Sequence, residues 1–123
     1  MAEGIANNIL SKSIIVKSAG TEAHGVNPIA IEVMNDISIS ISHHKSEKIN
    51  YKDLEDFDLI ITLCGDARDK CSIITSSNKH IHWNIEDPAN FTDDQKELKN
   101  KYIEVRDLIF NNIIELKNKL RKL

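Results

Sequence analysis

The apolar positions of this chain change their spacing from block to block, and the spacing predicts the elements. Ala2, Ile5, Ala6, Ile9 and Leu10 recur in steps that keep them on one side of a helix, which predicts a helix over residues 2–11. Ile14, Ile15 and Val16, set between Ser13 and Ser18, form a β-branched run of the kind that fills a buried strand, ended by Ala19 and Gly20. Asn27 followed by Pro28 reads as an N-cap with proline in the first helical position; Ala30, Val33, Met34 and Ile37 then give a buried stripe and a second helix. Residues 42–56 are polar and loop-rich. Phe57 to Leu63 carries the strongest strand signal, with Cys64 where it ends, and His80-Ile81-His82-Trp83 reads as a further short strand. From Asp93 or Asp94 a long helix carries Leu98, Tyr102, Val105, Ile109, Ile113, Leu116 and Leu120 on one face. Its acidic start and its basic end at Lys117, Lys119, Arg121 and Lys122 complement the helix dipole, which accounts for those charges without a ligand.

The order helix, strand, helix, strand, loop, strand, helix fits an α/β fold with a doubly wound parallel sheet covered by helices. Such folds open with a strand and its ligand-binding turn, whereas this sequence opens on the helix expected to follow them. At 123 residues and 41% hydrophobic content the chain suits a single domain. Its 16 Lys and Arg against 19 Asp and Glu, with the basic residues mainly near the C-terminus, leave no broad cationic face for a nucleic acid. Apolar runs such as Leu59 to Leu63 fall far short of the roughly 20 residues that cross a membrane, so no membrane association is expected. Met1-Ala2-Glu3-Gly4 lacks the cationic start and apolar stretch of a signal peptide, which makes the cytoplasm the expected compartment.

The candidate chemistry centres on two cysteines, Cys64 and Cys71, the only ones in the sequence. In a reducing compartment such a pair is more often inert or catalytic than a structural bridge. Gly65 permits a sharp turn after the strand, and Asp66 suits the cap of a following turn whose amides would favour a thiolate at Cys64. Were residues 64–71 an unbroken helix, a rise of about 1.5 Å per residue would hold the thiols roughly 10 Å apart, beyond the ~7 Å limit for bridging. Spacing therefore leaves two readings open: a redox switch whose segment rearranges on oxidation, and two unremarkable thiols. His80 and His82 alternate on one strand, a metal-ligand spacing with no third ligand in evidence; His43-His44 reads as a solvated loop. Asp87-Pro88, on its own, is a turn signal.

Thr62-Leu63-Cys64-Gly65-Asp66-Ala67 followed by Cys71 resembles the resolving-cysteine segment of the thioredoxin-coupled arsenate reductases, which share the low-molecular-weight tyrosine phosphatase fold. Met1-Ala2-Glu3-Gly4, Ser18-Ala19-Gly20, Glu22-Ala23-His24-Gly25 with Pro28, Ile39-Ser40-Ile41-Ser42, and His82-Trp83 with Asp87-Pro88-Ala89 agree in the same order, so the resemblance runs from the first residue to about residue 91. It implies a phosphotyrosine-phosphatase-like parallel sheet flanked by helices. It also implies reduction of arsenate, or binding of another tetrahedral oxyanion, by a nucleophilic cysteine in a Cys-x5-Arg loop. Cys64 would then displace arsenite, Cys71 would attack the resulting disulfide, Asp87 would act as general acid, and thioredoxin would reduce the Cys64–Cys71 bridge. No dissociable cofactor is implied, although Glu3 and Ser18 match positions implicated in potassium binding, with Glu47 where an aspartate is usual.

The family carries its nucleophile loop immediately before Met-Ala-Glu-Gly. The expectation is a chain shortened at its N-terminus relative to the family, without the central first strand, the phosphate loop and its arginine, and inactive on arsenate as it stands. Two alternatives remain at this point. One is a tyrosine phosphatase of the same fold, which would need Asp87 but not paired cysteines; the other is a non-catalytic redox or interaction module that keeps the thiol pair.

Overall fold

A computed structural model describes residues 1–19, 27–44, 56–63, 80–86, 88 and 91–121. Contacts gather into two compact units, one formed by residues 1–18, 25–45 and 88–123, the other by residues 19–24 and 46–87.

The first unit is helical. Helix α1 spans Ala2–Ile9, α2 spans Pro28–Asn35 and α3 spans Gln95–Arg121, with α1 and α2 both packing against α3. Each helix start follows from its sequence. Asn27 Oδ1 accepts the Ile29 N–H at 2.8 Å, with Pro28 just inside, so the donor that proline lacks is one the first turn would have left unpaired anyway. Asp94 Oδ1 accepts the N–H groups of Lys96 and Glu97, both at 3.0 Å, and caps α3, whose start the sequence leaves at Asp93 or Asp94. The expected stripe on α3 is buried from Leu98 through Leu116, and Leu120 is half-buried.

α2 ends without a glycine. Ile39 N–H reaches Met34 O at 3.0 Å and Ser38 N–H reaches Asn35 O at 2.9 Å, the paired bonds of a Schellman-type end, which puts Ser38 in the left-handed region at φ 62°. Asp36 N–H bonds Glu32 O, and the remaining carbonyl of the last turn, Val33 O, accepts from Arg106 Nη1 on α3 at 2.8 Å. All four terminal carbonyls of α2 are thereby satisfied, one of them by an arginine only 9% exposed. Gly4 makes the other close contact in this unit. A Cβ there would stand 2.7 Å from Ile41 Cγ2 and 3.3 Å from both Ile39 Cγ2 and Met34 Cε, so α1 sits on the residues after α2 as closely as a bare Cα allows.

The second unit contains strands β1, Ile60–Thr62, and β2, His80–His82, paired in parallel with Ile60 opposite His80 and Thr62 opposite His82. Hydrogen bonds carry the pairing past the strand ends: Trp83 N–H donates to Thr62 O at 2.9 Å and Ile85 N–H to Leu63 O at 3.1 Å. β1 is shorter than the expected Phe57–Leu63, because residues before Ile60 have no place in the ladder among the described residues.

One expectation is overturned. Ser13–Ser18 is not a strand: Ile14 N–H closes a turn onto Ser11 O at 2.9 Å, Ile14 is exposed, and Ile15 is 80% exposed. A β-branched run supplies propensity, but the ladder partner makes the strand, and no described strand includes these residues. No described helix is long and apolar enough to cross a membrane.

Candidate functional site

The carboxyl end of a parallel ladder is where α/β proteins of this type gather reactive groups, since side chains there meet helix N-termini and loops. β1 and β2 provide such an end. Leu63, the last described residue after β1, directly precedes Cys64, and Glu86 directly precedes Asp87. Cys64, Cys71 and Asp87 themselves lie outside the described residues, as does Glu47.

Thr62, 4% exposed, occupies the last position of β1 and works as a polar hub. Its Oγ1 lies 2.8 Å from His80 Nε2 and 2.7 Å from His82 Nδ1. Side chains alternate across a strand, and the register pairs Thr62 with His82, so Ile60, Thr62, His80 and His82 share one face while Ile61 and Ile81 share the other. The hydroxyl has one proton and two lone pairs, so at least one of the two ring nitrogens must present an N–H to it if the proton serves the other. The two histidines are legible in the sequence but the hydroxyl between them is not; the strand register, absent from the sequence pattern, brings the three together.

A second cluster lies in the helical unit. Ser18 Oγ donates to Glu3 Oε2 at 2.9 Å, and His44 Nδ1 lies 3.4 Å from the same oxygen. Glu3 stands in the first turn of α1, where the helix dipole favours a carboxylate. His43 meets His44 edge to face with ring centroids 4.6 Å apart. Burial pushes the Met1 amine below its ordinary value of 8.0, against a smaller opposing pull from Glu3. Glu3 and Ser18, singled out from sequence, are therefore brought together; His44 is their unanticipated neighbour. Among the described residues no group of three His, Cys, Asp or Glu side chains is gathered around one point as a metal site would require.

Parallel β1 and β2, their ladder running on to Leu63 and Ile85, and three packed helices place the chain among α/β proteins whose chemistry sits at strand ends. The chain belongs to the low molecular weight phosphotyrosine protein phosphatase family, whose model matches residues 1–123. Within that family it is similar to arsenate reductase 1 of Staphylococcus haemolyticus (strain JCSC1435), 45% identical over 120 residues that cover 98% of this chain and 86% of the relative. The arsenate reductase of Bacillus subtilis (strain 168) is 42% identical over 115 residues, covering 94% and 83% respectively. In three dimensions the chain resembles an arsenate reductase in its oxidized state, with a TM-score of 0.78, 26% identity and coverage of 96% of this chain and 86% of the other. It also resembles an arsenate reductase in a phosphate-binding state, with a TM-score of 0.75, 28% identity and the same coverage.

Proposed function

We propose that this protein serves thioredoxin-coupled reduction of arsenate to arsenite, with Cys64 and Cys71 as its resolving thiols and Asp87 as general acid. The observation that carries the reading is the continuation of the β1–β2 ladder to the residue before Cys64 and to Ile85, two before Asp87, in a chain whose relatives are named arsenate reductases. A phosphate-binding state in a structural relative supports a tetrahedral oxyanion as the ligand.

In this scheme a nucleophilic thiolate attacks arsenic(V). The Cys64 thiolate then attacks that sulfur, and the arsenic leaves with the bonding electron pair as arsenite. Two thiols have become one disulfide, which balances the two-electron reduction of arsenic. Cys71 attacks Cys64 and regenerates the nucleophile, and thioredoxin reduces the Cys64–Cys71 bridge. Asp87 supplies the proton that the departing oxygen takes up. With Cys64 and Cys71 assigned as the resolving pair, thiol exchange between them is the direct test of the assigned residues.

The chain is oxidised with diamide, and bridge formation is followed by loss of free thiol and by mass. Thioredoxin, its reductase and NADPH should then return both thiols with one NADPH consumed per chain, and Cys71→Ser should abolish that consumption. Two titratable thiols after diamide would sink the assignment.

Glu3 and Ser18, the positions that the resemblance links to potassium, are neighbours joined by the Ser18 Oγ to Glu3 Oε2 hydrogen bond, and potassium as a structural ion at α1 is part of this proposal. A higher thermal midpoint in potassium than in an equal concentration of tetramethylammonium, lost in Glu3→Gln, is the expected sign.

A further inference from the structure

We infer that Thr62, held by His80 and His82, is a positioning residue for thiol exchange: it orients the strand end from which Cys64 departs, so that Cys71 attacks the Cys64 sulfur in line with the bond that breaks. The inference rests on the reading of Cys64 and Cys71 as the resolving pair and assigns the residues that set their geometry.

The ladder by itself has no need of this hydroxyl. Strand pairing uses backbone groups, and a valine would fill the shape of Thr62 with no buried polar atom to satisfy. Instead Thr62, 4% exposed, sets Oγ1 2.8 Å from His80 Nε2 and 2.7 Å from His82 Nδ1, so two residues of β2 hold its side chain in one orientation. The backbone extends the restraint: Thr62 O accepts the Trp83 N–H at 2.9 Å, and Leu63 O accepts the Ile85 N–H at 3.1 Å. The Leu63 carbonyl belongs to the peptide group that joins Leu63 to Cys64, and that group is planar, so described atoms fix the direction in which the chain leaves the strand. Side-chain and backbone restraints therefore converge on the end of β1 that adjoins the first thiol in sequence.

Thiol–disulfide exchange rewards such a restraint. The attacking, attacked and leaving sulfurs must come near one line, and a reaction held in that geometry outruns one that must find it. In the step served here, the Cys71 thiolate forms a bond to the Cys64 sulfur. The bond from Cys64 to its former partner breaks with the electron pair on that partner, and the released thiolate takes a proton from water. Thr62 takes no part in the bonding; it acts through the strand end.

The test follows that step in the 123-residue chain with glutathione as the leaving partner. Reduced chain is mixed with glutathione disulfide, which forms a mixed disulfide and then closes to the Cys64–Cys71 bridge with release of a second glutathione. Acid quenching, alkylation and mass give the first-order closing rate. Thr62→Val should slow closing about fivefold and Thr62→Ser less than about twofold, because valine keeps only the shape and serine keeps the hydroxyl; a packing role would reverse that order. Alkylation of the two thiols in the reduced chain by iodoacetamide should run at the same rate in all three, since a small free reagent brings its own orientation. In the unsubstituted chain the Trp83 and Ile85 amides should exchange slowly with deuterium in both the reduced and the bridged state, a reading that depends on no variant's folding. Equal closing rates in Thr62→Val and the unsubstituted chain overturn the positioning role, as does alkylation that slows in step with closing, or loss of Ile85 protection on bridging. If the unsubstituted chain forms no bridge at all, the reading of Cys64 and Cys71 falls and takes this inference with it.

Discussion

In the helical unit Ile5, Val33 and Met34 have no exposed surface at all, whereas among the described residues of the strand unit only Thr62 and Ile85 are buried, and the more deeply buried of the two is polar. The helices are held by interlocking apolar side chains, with one arginine closing the last backbone account. The strand pair is held by its ladder and by a hydroxyl shared between two imidazoles. Apolar packing is non-directional and tolerates neighbours that differ in detail; a hydroxyl hub depends on direction, and it fixes where two rings point. Among the described residues, therefore, the helical unit carries the apolar packing and the strand pair carries a directed polar network.

Substitutions can break or sharpen that contrast. Ile5→Ala should cost the most, about 3 kcal/mol of unfolding free energy in urea, since it empties a fully buried site on α1, the helix that packs against α3. Arg106→Met should cost about 2 kcal/mol, because it keeps the bulk but strands the buried Val33 carbonyl. Thr62→Val should cost about 1 kcal/mol, the net value of hydrogen bonds traded for an isosteric methyl. If Thr62→Val cost more than Ile5→Ala, the division of labour would have to be reversed.

In the other direction, Ser38→Gly should raise stability by about 0.5 kcal/mol, because the left-handed conformation costs serine more than the added backbone freedom costs glycine. The smallest effect concerns pH. The Met1 amine has its folded value below 8.0, so the unfolded chain binds that proton more readily. Its contribution is present above pH 8 and is lost as pH falls through the folded value; acetylating the amine should flatten that part of the stability profile in urea titrations.

Much of the helical unit was readable because helices advertise themselves locally. Asn27-Pro28, Asp94 and the Leu98-to-Leu116 stripe each needed only neighbours a few residues away. Arg106 was not readable, since its role depends on a carbonyl 73 positions earlier in the chain. Ser13–Ser18 misled for the complementary reason: strand propensity is local but strand pairing is not. At the strand ends the sequence offered histidine spacing, but the hub at Thr62 needed the β1–β2 register. Glu3 and Ser18, 15 positions apart, were legible only through family resemblance.

The missing side chain at position 4 has a consequence for how this family can vary. Alanine there would gain roughly 1 kcal/mol of helix propensity yet drive a methyl into Ile41 Cγ2, a branched carbon on a residue with 1% of its surface free, so the local gain is outweighed by the collision. Position 4 is thus expected to enlarge only in step with loss of the β-branch at 41, and a paired Gly4→Ala/Ile41→Leu exchange, which removes the Cγ2 methyl and keeps the side-chain volume, should be milder than Gly4→Ala alone and would expose the two positions as a single unit of inheritance.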